Sequence, residues 1–143
     1  MGNENLIRIS HLAIIDSNHN DKFDAGDQMY WIRSNKGQSE SIRLDQKAKG
    51  FELAQVELSR LGITTPLSQI SSLRGAERFA GSYLKVLSRL QQTGSLEEIK
   101  PELQMAFGAA QAAGLQIDRH QVGGLLQAAL RLNSYHNMLK DLK

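Results

Sequence analysis

Cysteine is absent from the 143 residues. That removes disulfides, thiolate zinc sites and cysteine nucleophiles together, and it leaves the redox compartment open. No apolar run approaches the roughly 18 residues of a membrane span. The start, MGNENLIRIS, lacks a basic stretch followed by an apolar one and does not read as a secretory signal. Leu6 stands where N-myristoylation wants Ser or Thr, so Met1 and Gly2 are not read as a lipidation signal. The four His, at 11, 19, 120 and 136, make no H-x-x-H or H-E-x-x-H pair, which argues against zinc. Neither G-x-S-x-G nor a P-loop occurs, and no nucleophile–base–orienter set stands out, so the chain reads as a non-enzyme. Charge of one sign is scarcely in excess: 17 Lys and Arg face 15 Asp and Glu, net +2. The basic residues at 74, 78, 85, 89, 119 and 131 lie without interleaved aromatics. They read as solvated helix faces, and no nucleic-acid partner is expected.

The apolar content, 41%, suffices for a core, and the length suits one domain. Charge is uneven along it. Residues 1–45 carry five basic and seven acidic side chains, net −2, whereas residues 46–143 carry twelve and eight, net +4. The division coincides with a change of period. LIRISHLAII is rich in β-branched residues and reads as a strand with at least one buried face. MYWIRS (29–34) and QSESIRLD (38–45), separated by Asn-Lys-Gly, read as a hairpin with Gly37 at positive φ.

After Asp45, placed as a helix cap, Phe51, Ala54, Leu58 and Leu61 recur at helical spacing and Gly62 is the stop. Pro66 opens a short helix lined by Leu67, Ile70 and Leu73 and ended by Gly75. Phe79, Tyr83, Val86, Leu87 and Leu90 stripe a third helix closing at Gly94. Ser95 to Glu98 is a capping-box pattern, and Pro101 implies either a kink or a fresh helix start. Small residues at 108, 109 and 112, and Gly123-Gly124, are expected to let helices approach closely. Asp118 caps the last helix, with Val122, Leu125, Leu126, Ala129, Leu130 and Leu132 inside, and the end, YHNMLKDLK, is expected to fray. The expected fold is α+β and mostly α. A small N-terminal antiparallel sheet (1–45) precedes a four- or five-helix bundle (46–143), the two forming one compact unit.

Between the first apolar run and the hairpin lies DSNHNDKFDAGD, residues 16–27. Four Asp against Lys22 give it −3 over twelve residues. Calcium takes six to eight oxygens, which one short segment supplies only if oxygen-bearing side chains recur around a tight turn. Counting from Asp16, positions 1, 3 and 5 are Asp16, Asn18 and Asn20. Position 7, Lys22, would give its backbone carbonyl; position 8, Phe23, is an apolar anchor; positions 9 and 12 are Asp24 and Asp27. The segment resembles an EF-hand-type calcium loop, and its final Asp makes it similar to dockerin loops. The resemblance covers 12 of 143 residues and implies a Ca²⁺ site, not a family for the whole chain.

Three positions depart from the pattern. Asp21 replaces the Gly of position 6, where the backbone turns left-handed; Asp27 replaces a longer Glu; and two amides lower the ligand charge. Together they imply weak affinity, roughly 10⁻⁵–10⁻³ M, suited to a calcium-rich extracytoplasmic setting. Magnesium suits such a cage less. The flanking residues favour strand–loop–strand over helix–loop–helix. His19, at position 4, points to solvent; His11 is expected to pack on a strand; His120 and His136 are surface residues. Glu97 and Glu98 read as cap residues.

Two functions are thus expected from the sequence. One is a calcium-binding interaction module with a protein partner, its ion stabilising the fold. The other is a metal-free helical adaptor that uses its Gly/Ala faces at 108–112 and 123–129.

Overall fold

The computed structural model describes residues 5–141, so Met1 and Gly2 lie outside the described residues. Four strands come first: β1 (Leu6–Ile9), β2 (Leu12–Ile15), β3 (Gln28–Asn35) and β4 (Gln38–Leu44). They form an antiparallel meander in chain order. Four helices follow: α1 (Ala48–Arg60), α2 (Leu73–Thr93), α3 (Leu96–Ala112) and α4 (Arg119–Asp141). The α+β order with a mostly helical chain agrees with the sequence reading; the fifth helical segment is a single 3-10 turn, Leu67–Gln69.

The first apolar run is two strands, not one. Ser10 takes φ 57° and, with His11, turns the chain back so that Leu6 faces Ile15 and Ile9 faces Leu12. Both parities of LIRISHLAII are apolar, so alternation alone did not reveal the reversal. His11 consequently sits on a turn and is exposed, contrary to its placement on a packed strand. The second hairpin is as expected: Lys36 and Gly37 at φ 53° and 79° form the two-residue primed turn that matches strand twist.

One sheet face buries Ile7, Ile9, Leu12, Ile14 and Met29 against Ala54, Leu58, Phe79 and Tyr83. Helix α2 packs on β1, and α1 packs on β2 and β4. The open edge of β1 is covered by α2: Arg8 N–H donates to a Glu77 carboxylate oxygen (2.9 Å), and Arg74 Nη1 donates to the Leu6 carbonyl (3.3 Å). Blunting an edge in this way suppresses unwanted strand pairing.

Helix boundaries correct several expectations. Lys47, not Asp45, is the N-cap of α1, although Asp45 Oδ1 still accepts from Gly50 N–H at 3.2 Å. Gly62 closes α1 as expected: its N–H bonds the Ser59 carbonyl and Ile63 N–H the Leu58 carbonyl, a Schellman pair. Gly75 does not end a helix; it lies in the first turn of α2, where a Cβ would stand 2.4 Å from that of Ala113. Helix α2 begins at Leu73, three residues after the 3-10 turn closes at Ile70, and runs to its expected stop at Gly94.

Ser95 caps α3 by accepting from Glu98 N–H, and one helix continues through Pro101. Asp118 caps α4 through His120 N–H (2.9 Å), and the helix extends to Asp141; the last two residues of the stretch expected to fray lie outside the described residues. Close packing makes little use of the small residues chosen from the sequence, of which Ala109 and Gly123 are half-buried. Gly108 and Ala112 are exposed, and nothing lies within 4 Å of a Cβ built at Gly108, Gly123 or Gly124. Ala106, Ala110 and Ala113 are buried instead. Leu132, expected inside, is 44% exposed.

Candidate functional site

Residues 16–27 connect β2 to β3, the strand–loop–strand setting anticipated from the flanks. Pairing of Ile15 with Gln28 holds the two ends of the loop side by side. Phe23 anchors the middle: it packs on the core and meets the Phe51 ring edge-on, centroids 5.8 Å apart. The loop is thus fixed at three points before any side-chain oxygen is considered.

The carboxylates divide into two groups. Asp16 and Asp27 are buried at the base of the loop, 4% and 2% exposed. Asp27 bridges its two arms, Oδ1 accepting from Ser17 N–H (2.9 Å) and Oδ2 from Asp24 N–H (2.8 Å). Because Asp27 N–H also donates to the Asp24 carbonyl (3.0 Å), this is one half of a capping box on a turn that does not continue into a helix. Asp16 Oδ2 accepts from Asp21 N–H (2.8 Å). Nearer the surface, Asn18 Nδ2 (2.9 Å) and Asn20 Nδ2 both donate to Asp24 Oδ2, so loop positions 3, 5 and 9 meet around one oxygen. Lys22 is exposed, as expected, and its N–H donates to Asn20 Oδ1 (3.1 Å). His19 is exposed too.

The backbone obeys the loop pattern at its most demanding position. Asp21 adopts φ 64°, the left-handed region that position 6 requires. Its carboxylate, which the sequence offered only as a departure from Gly, has a definite place. Oδ1 accepts from Arg74 N–H (2.7 Å), Oδ2 from Ser72 Oγ (2.6 Å), and the Asp21 carbonyl accepts from Leu73 N–H (2.9 Å). Nothing in the spacing of residues 16–27 points to a helix start some 50 residues later, so sequence reasoning missed this role.

Asp16 Oδ1 is buried and has no hydrogen-bond partner. Leaving a buried charged acceptor unpaired costs on the order of 1–3 kcal/mol or more. Among the described residues one other buried side-chain oxygen shares this state, Glu57 Oε2, which faces His11 Nδ1 at 3.5 Å. Among the described residues, none of Asp16, Asp24 and Asp27 belongs to an ion pair. Nor do three His, Cys, Asp or Glu side chains gather there as a ready-made metal set. The oxygen donors of residues 16–27 are instead mixed: carboxylates at 16, 24 and 27, amides at 18 and 20, and main-chain carbonyls. Oxygen-only donors of this kind suit a hard cation such as Ca²⁺ and not a soft one.

A separate hollow of about 660 Å³ lies on the outer face of the sheet, lined by Leu6, Arg8, Ile15, Tyr30, Ile32 and Ser41 among others. Its lining differs in character from the acidic loop, being mostly apolar with Arg8 and neutral polar side chains at its margin. No helix among the described residues is long and apolar enough to cross a membrane. Compared with protein-family models, curated proteins and solved structures, the chain matches none.

Proposed function

We propose that the protein is a non-enzymatic calcium-binding module whose loop 16–27 holds one Ca²⁺ that stabilises the fold. The supporting observation is Asp16 Oδ1, a buried carboxylate oxygen without a partner at the first ligand position. A cation there removes the cost of the unpaired charge. The ligands are Asp16, Asn18, Asn20, the Lys22 carbonyl, Asp24 and Asp27. The hydrogen bonds already on Asp27 do not disqualify it, because each carboxylate oxygen keeps a second lone pair. When bound, calcium supplies positive charge that offsets the −3 of the segment and draws its oxygens together.

Weak affinity, roughly 10⁻⁵–10⁻³ M, follows from three ligand carboxylates, two amides and a short final Asp. Such a site fills in a calcium-rich, extracytoplasmic setting, and the module's partner is another protein. The test uses Trp31, the single Trp, on β3 four residues past Asp27. Calcium is titrated against its fluorescence and against the melting temperature. With calcium at about 100 times Kd, stabilisation of about 2.7 kcal/mol is expected, which raises Tm by roughly 8 °C. Asp16→Ala abolishes both responses. An unchanged wild-type signal at several millimolar calcium overturns the proposal.

A second reading, a metal-free helical adaptor, draws on the glycines at 108, 123 and 124, where a Cβ would meet nothing within 4 Å, and on exposed Leu132, Tyr135, Met138 and Leu139 along α4. A calcium-silent protein whose helices pair with another chain through those faces is its expected outcome.

A further inference from the structure

Loop position 6 is where residues 16–27 meet the start of α2. Asp21 N–H holds Asp16, whose other oxygen is the buried, unpartnered one. The same residue, through its carboxylate and its carbonyl, holds Ser72 Oγ, Leu73 N–H and Arg74 N–H, the cap and first two amides of α2. Ser72 Oγ in turn accepts from Gly75 N–H (3.0 Å). A helix start leaves four N–H groups without intrahelical partners. Here residues 73 to 75 are served by Asp21 and by a Ser72 hydroxyl that Asp21 orients.

We infer that Asp21 is a positioning residue that couples cation occupancy of the loop to the order of the first turn of α2. The inference rests on the calcium reading given above and adds its route. A Gly at position 6 would satisfy the turn but lose the carboxylate that accepts from Arg74 N–H and Ser72 Oγ; Asp accepts the left-handed strain and gains both bonds. A cation that fixes Asp16 fixes the Asp21 amide bonded to it, and so the side chain that holds α2. Coupling between two sites is reciprocal, so loss of the cap also weakens the ion. Because α2 packs on β1, α3 and α4, the signal enters the bundle at its most connected helix.

Amide hydrogen exchange on the full chain, with and without calcium, tests this. In the wild type, saturating calcium slows exchange at Leu73, Arg74 and Gly75 by roughly fivefold or more, the lower end of measured couplings. Asp21→Gly keeps the backbone turn and removes the carboxylate that holds Arg74 N–H and orients Ser72: the slowing disappears at Arg74 and Gly75, and the calcium Kd, from calorimetry, rises roughly fivefold or more. Asp21→Asn removes the same charge yet keeps an acceptor for Arg74 N–H, so it retains the slowing. Loss of the effect in both variants would assign it to charge alone and overturn the coupling. Calcium binding in the wild type with unaltered exchange at 73–75 overturns the coupling and leaves the calcium reading standing. Absence of calorimetric binding by the wild type overturns both. The wild-type and Asp21→Asn measurements decide the matter even if Asp21→Gly fails to fold.

Discussion

The Tyr83 hydroxyl shows how strongly a single buried group responds to its surroundings. The side chain is 0% exposed, stacks on Phe79 with centroids 5.6 Å apart, and donates to the Val122 carbonyl at 3.2 Å. Burial disfavours the phenolate and raises its pKa from 10.0 to about 12. The unfolded chain gives up this proton near pH 10 while the folded chain keeps it. Stability from Tyr83 is therefore complete below about pH 10 and declines as pH rises through about 12. Urea midpoints measured from about pH 9 to about pH 11 should fall, and Tyr83→Phe should flatten that fall while costing about 1 kcal/mol at neutral pH for the lost bond. The helical stripe in the sequence placed Tyr83 inside correctly, but neither its acceptor nor its ring partner follows from spacing. His11 shows the opposite case. With Ser10 it stands between apolar Ile9 and Leu12, and only the left-handed conformation of Ser10 reveals a turn. A Ser at positive φ carries no distinctive sequence signal, so an exposed residue was read as a packed one.

Elements were legible where a pattern has one physical cause. The primed turn at Lys36 and Gly37, the Ser95 cap and the stops at Gly62 and Gly94 each answer a local backbone demand. Ser95→Ala should cost about 1 kcal/mol, seen as a lower urea midpoint with unchanged slope. Gly75 was misread because glycine has two uses. Here it serves proximity: α2 and α3 come so close that a Cβ at 75 meets Ala113. Gly75→Ala should destabilise by roughly 1–3 kcal/mol through overpacking, whereas Gly108→Ala, in open space on a helix, should stabilise by up to about 1 kcal/mol. Thermal melts of the two variants test this contrast of sign. The loop 16–27 was legible as an oxygen-rich turn for the same local reason, and its tie to α2 was not, because the tie joins residues 51 to 53 positions apart.

For the whole molecule, the shift from β-branched runs to helical spacing near residue 45 conveyed the order of sheet and bundle. How the two share a core is a tertiary fact. One cluster runs from Ile7, Leu12 and Met29 in the sheet through Leu58 and Phe79 to Ala110 and Val122 in the helices. Two regions with a common interior cannot lose it separately. Urea unfolding followed by Trp31 fluorescence, a sheet reporter, and by helical circular dichroism should give coincident curves; a gap between midpoints would mean that the sheet and bundle unfold independently.

The cover that Arg74 and Glu77 place over β1 has an arithmetic of its own. Among the described residues no hydrogen bond reaches the far side of β4, so the sheet has one margin closed and one open. Two molecules joined β4 to β4 would consume both open margins at once. Growth by strand addition therefore terminates at a pair, and a fibril built on this sheet would first have to peel α2 away from Arg8.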